Sequence, residues 1–138
     1  MNKLTYAFLT LFAVSLLVAC SSNTSREITP ELTEANEYLQ KSLDIREDLM
    51  ETEKQLKAAE IDYSELKDEL KIWDKDIIEV PGFEHSHDDE HQRAYHVHNA
   101  MKPFSDVEHL NYQKVMYEEI ADLSERMKKL MENEITDK

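Results

Sequence analysis

The chain has one glycine, Gly82, three prolines and one cysteine in 138 residues. A lone cysteine excludes an internal disulfide. A lone glycine excludes a glycine-rich phosphate cradle, and with so few prolines it leaves little material for tight turns. That shortage excludes most β architectures and the doubly wound α/β folds, whose many short elements need frequent turns. Basic residues are scarce as well: 16 Lys and Arg face 30 Asp and Glu, for a formal charge of −14. Such a surface repels nucleic acid and anionic headgroups and attracts cations. Long apolar runs are limited to Leu4–Val18. At about 15 residues this run is shorter than the roughly 20 that span a bilayer, and it fits the core of a secretion signal.

What the sequence does have is Glu, Lys and Leu with few breakers, the composition of long helices. Ser21 to Thr29 is polar and aperiodic, the pattern of a flexible tether. Thr29-Pro30-Glu31 then reads as a helix start, with a capping residue, Pro in the first turn and an acid beside it. No Gly or Pro follows until Pro81. Read in sevens, one seam holds Ala35, Ser42, Leu49, Leu56, Tyr63, Leu70 and Ile77, and its partner seam holds Tyr38, Ile45, Thr52, Ala59, Leu66 and Trp73. This alternation predicts one coiled-coil-like helix over about 30–78, stopped by Val80-Pro81-Gly82.

A second helix is predicted over about 105–133. Ser105-Asp106-Val107-Glu108 is a capping box, and the apolar stripe behind it is Leu110, Met116, Ile120, Leu123, Met127 and Leu130. The expected architecture is therefore all-α: a long antiparallel helical hairpin with a His/acid-rich connection over 79–104. The shorter arm would cover about Leu49 to Ile77 and leave the first turns as a stalk. Trp73, Phe83 and Tyr95 are expected to pack near the hairpin turn. His109 is expected at the surface or the edge of the second stripe.

The connection concentrates the chemistry. His85, His87, His91, His96 and His98 fall within 14 residues, interleaved with Glu84, Asp88, Asp89 and Glu90. Neutral imidazole and carboxylate are ligands for zinc and, where imidazole dominates, for copper and nickel. In an extended chain His85/His87 and His96/His98 would each point one way. Alternatively Ser86 and Asp89 form a capping box for a short third helix that stacks His87, His91 and His98. The candidate metal ligands are thus the five His, assisted by Asp88, Asp89 or Glu90. The competing reading is a solvated acidic loop with incidental affinity. His87-Asp88-Asp89-Glu90-His91 also fits the inverted zinc-peptidase pattern H-x-x-E-H, but a helical hairpin offers neither a third ligand helix nor a substrate cleft. No nucleophile–base pair stands out, so the chain reads as non-enzymatic.

At the amino end, Lys3 precedes the apolar run, and the run closes on Leu17-Val18-Ala19-Cys20-Ser21-Ser22. This resembles a bacterial lipoprotein signal with its lipobox. The resemblance implies removal of 1–19, lipidation of Cys20 and a chain anchored in the cell envelope through residues 20–29. With Ser21 and Ser22 after the cysteine, it favours the outer membrane over the inner. Trp73 to Phe83 (WDKDIIEVPGF), the His segment after it and the shorter second helix are similar to short helical lipoproteins of Bacteroidota. Two functions follow as expectations. One is a membrane-anchored protein whose loop binds divalent transition metal. The other is a structural or adaptor lipoprotein whose heptad seam binds a helical partner or itself. In the second, polar substitution of Leu56 and Leu66 would disrupt assembly.

Overall fold

The computed structural model describes residues 26–84 and 93–136. Among these the chain forms helices α1 (Pro30–Ala58), α2 (Ser64–Asp76) and α3 (Asp106–Thr136), with no strand. The all-α class and the two long helices are as the sequence predicts.

The first helix starts where its capping signals place it. Thr29 Oγ1 accepts from the Leu32 amide at 3.3 Å, and Pro30 occupies the first turn, where no amide donor is needed. It does not run on to residue 78. Glu60 takes the left-handed conformation (φ 57°), and two backbone bonds close the end: Glu60 N–H to Lys57 O at 3.2 Å and Ile61 N–H to Leu56 O at 3.0 Å. This is a Schellman closure, with Leu56 and Ile61 both buried beside it. Asp62 Oδ1 then accepts the Ser64 amide at 3.0 Å and opens α2. The expected single helix is thus two helices joined by a tight turn, each packed on α3.

The break sets the topology. Arg26 and Thr29 bond to Asp106, Lys114 pairs with Glu34 at 2.9 Å, and Tyr117 packs edge-on to Tyr38 with centroids 5.6 Å apart. Numbers rise together along both helices, so α1 and α3 run side by side in the same direction. Trp73 reaches Met116 while Glu69 reaches Arg126, so α2 runs against α3. The antiparallel relation expected of the two long helices therefore belongs to α2 and its neighbours. There is no stalk, because α3 covers α1 from its first turn.

Burial follows from this packing. Along α1, Leu32, Ala35, Leu39, Ser42, Leu43, Arg46, Leu49, Thr52 and Leu56 are buried. That stripe is wider than one heptad seam, because α1 faces both α3 and the returning connection. In α3, His109, Leu110, Gln113, Met116, Ile120, Leu123, Ser124 and Met127 are buried. Trp73 sits at the centre, 2% exposed, with its indole N–H donating to Met116 O at 2.8 Å. The capping box at α3 forms, with Ser105 N–H to Glu108 Oε2 at 2.7 Å and Glu108 N–H to Ser105 Oγ at 3.4 Å. That helix continues to Thr136, one turn beyond the predicted end.

Candidate functional site

After α2 the chain runs toward the amino-terminal end of α1. Asn99 Nδ2 caps the carbonyl end of α2, donating to Asp74 O at 2.8 Å and Ile77 O at 2.7 Å. Pro81 and Gly82 form a turn in which Phe83 N–H bonds Val80 O at 3.0 Å. Gly82 has φ 85°, and a β-carbon there would lie 3.2 Å from Ile28 Cγ1. Positive φ and close approach both favour glycine, which accounts for the chain's only one.

On its return the connection is stitched to the middle of α1. Arg93 donates to Asp44 at 2.8 Å, and the amides of Ala94 and Tyr95 donate to Glu47 Oε1 at 2.9 and 3.2 Å. The Tyr95 ring lies over the Arg46 guanidinium at 5.1 Å and beside Trp73 at 6.3 Å, and Val97 is buried. Arg46 itself is buried. Its Nε and Nη2 reach both oxygens of Asp74 at 2.8 and 3.0 Å. Burial opposes its charge, yet the hydrogen bond and attraction from Asp74 win and raise its pKa. Burial, then Asp74, pushes the Tyr95 phenol up, so it stays neutral.

Between α1 and this strap is a cavity of about 270 Å³. Leu39, Leu43, Phe83 and Val97 give it an apolar lining, to which Glu79, Glu84 and Arg93 add charge and His96 an imidazole. Glu84 comes from the incoming side of the His segment and His96 from the outgoing side, so both ends of that segment meet at one cavity. The described flanks of the segment lie beside residues 39–47, around the middle of α1.

Of the predicted ligands, His85, His87, Asp88, Asp89, Glu90 and His91 lie outside the described residues, as does Cys20. The H-x-x-E-H match lies there too. His96 is half-buried at the cavity and His98 is exposed, so the pair does not share one environment. Among the described residues no three His, Cys, Asp or Glu side chains are arranged to hold a metal ion.

His109 is not at the surface. It is 1% exposed, set edge-on to Phe104 with centroids 5.5 Å apart, and its Nδ1 has no hydrogen-bond partner among the described residues. Burial, then the positive Arg26, lowers its pKa; Asp106 and Glu108 oppose that shift. His109 falls one residue before Leu110 on the buried face, so the apolar stripe alone does not mark it.

One heptad seam is buried in this fold, with Leu49, Leu56, Leu70 and Ile77 all inside, whereas its partner seam leaves Tyr38, Ile45 and Leu66 half-buried and Ala59 exposed. A polar residue at Leu56 would therefore test folding rather than assembly. Arg46, Asp74, Asn99 and Gln113 were not anticipated. The signal for Arg46 was visible, since it sits at helical spacing among Leu39, Leu43 and Leu49. No family model, curated protein or solved structure matches the chain.

Proposed function

We propose that the protein is a non-enzymatic lipoprotein of the cell envelope, anchored through Cys20, that binds divalent transition metal through its His/acid segment. The observation that carries this is the convergence of both ends of the segment on one cavity. A free histidine-rich tail must lose chain entropy to gather its ligands. Here the bundle has already closed the loop, so less ordering remains for the metal to impose. His85, His87, His91, His96 and His98 are the proposed ligands, assisted by Asp88, Asp89 or Glu90. Zinc, copper and nickel suit that donor set. No helix among the described residues is long and apolar enough to cross a membrane. The proposed attachment is the lipid on Cys20, on the outer membrane. Two or more acyl chains hold stably without help from the protein part.

Calorimetric titration of untagged protein with Zn²⁺, Cu²⁺ and Ni²⁺ tests the metal reading. Affinity should weaken as pH falls through the imidazole range, because ligands must be unprotonated. Replacing the five His by Ala should abolish the binding heat; unchanged affinity in that variant would remove the site assignment. Mass analysis of Cys20 in membrane-extracted protein tests the anchor separately.

A further inference from the structure

We propose that the end of the bundle nearest residue 26 docks on a zwitterionic phospholipid surface, so that the protein stands on the membrane by its base. The proposal rests on the lipid-anchor reading above. Among the described residues five large apolar side chains are exposed, and three of them, Ile28, Met101 and Val107, belong to this end. Ile28 and Met101 border one open cavity together with Pro103 and Phe104, and Val107 lies in the first turn of α3. Gly82 lets Ile28 sit on the turn beneath it, so the side chain is held in place while half exposed. None of the five belongs to the opposite end, where Asp62, Glu65, Arg126 and Lys129 line the surface.

The chain outside the described residues fixes the occupant. Five residues lie between Cys20 and Arg26, a reach of at most about 20 Å when fully extended. A lipid on Cys20 therefore keeps Ile28 close to the bilayer, at an effective concentration of ~mM for so short a link. Weak intrinsic affinity is enough under that condition. The charges at this end are mixed. Arg26, paired with Asp106, and Lys102 stand among Glu27, Glu31, Glu84 and Glu108. A headgroup carrying both phosphate and ammonium complements such a mixture, whereas an anionic headgroup meets a chain of net charge −14.

The test uses the full acylated chain in phosphatidylcholine–phosphatidylethanolamine vesicles. An environment-sensitive fluorophore is placed on Met101→Cys, with Lys54→Cys as a control far along α1; Cys20 is consumed by the lipid. The Met101 probe should shift to the blue and be quenched by nitroxide placed near the headgroups, and the Lys54 probe should do neither. Ile28→Ser with Val107→Ser should reduce the shift while helicity is unchanged, and added phosphatidylglycerol should weaken it. Equal behaviour of both probes on acylated protein overturns the docking and leaves the anchor intact. A shift that appears in detergent and grows with protein concentration would assign the patch to a second copy and also overturn it. Unmodified Cys20 in the mass spectrum removes the anchor itself, and the docking with it.

Discussion

Glu60→Gly should raise stability. Glu60 is the one non-glycine residue with positive φ among those described, and it occupies the left-handed position of the Schellman closure. An L-residue there costs ~1–2 kcal/mol relative to right-handed backbone, and glycine is free of that cost. Glycine in turn loses ~0.5–1 kcal/mol more backbone entropy on folding. The difference favours the variant by about 0.5–1 kcal/mol. For a domain of this size that is a rise in Tm of about 2–5 °C. The same substitution in an unbroken helix over 30–78 has the opposite sign, because interior glycine costs ~1 kcal/mol relative to Ala. Glu60→Ala sharpens the contrast: close to neutral at a left-handed turn, stabilising inside a helix. Thermal and urea unfolding followed by far-UV circular dichroism reads all three proteins. A lower midpoint for Glu60→Gly together with a higher one for Glu60→Ala would refute the break at residue 60 and the topology built on it.

Three further outcomes follow from the packing. Trp73→Phe loses the indole donor to Met116 O and part of the central ring, and should cost about 1–2 kcal/mol in urea unfolding. Arg46→Met keeps most of the packed volume but strands the Asp74 carboxylate and removes the cation under Tyr95. It should cost about 2 kcal/mol, and adding Asp74→Asn should restore part of it. Acid should unfold the protein in two stages. The His109 pKa is lowered in the fold, so its contribution is complete above about pH 6.5; it declines as pH falls below that value, when the unfolded chain takes the proton first. The depressed carboxyls of Asp62, Glu69, Asp106 and Glu108, each bonded to a donor, hold their contribution above about pH 4 and lose it below. A pH series of urea midpoints should show both stages, and His109→Phe should erase the upper one. Persistence of that stage in His109→Phe would move it to another histidine.

Much of the fold was legible because its signals are local. Thr29-Pro30, the Ser105–Glu108 box and the Leu110–Leu130 stripe declare their helices without help from elsewhere. The break at Ala59–Tyr63 was not legible, because nothing in Ala58-Ala59-Glu60-Ile61 advertises a left-handed residue. Glutamate is an ordinary helix former, and the heptad count passes through it undisturbed. Once the break was missed, the direction of α3 was missed with it. The His segment was visible as chemistry, but its placement beside residues 39–47 depends on Asp44 and Glu47, which sit on a face that looks merely solvated. His109 and Gln113 were hidden for a different reason. Gln113 donates to Ile78 O from a fully buried position, a pairing between residues 35 apart that no periodicity encodes.

The shared direction of α1 and α3 governs when the protein can fold. Thr29 meets Asp106, and Tyr38 meets Tyr117, so each stretch of the first helix waits for a partner nearly eighty residues downstream. A ribosome or translocation channel delivering the chain amino end first releases Leu32, Leu39 and Leu49 long before α3 exists to cover them. A fragment ending at Ile78 would hold two helices with most of that surface open to water. Completion of the bundle is therefore a late event in the life of the nascent chain, and loss of the last turns of α3 would uncover the start of α2, where Asp62, Leu66 and Glu69 lie beside Arg126 and Leu130.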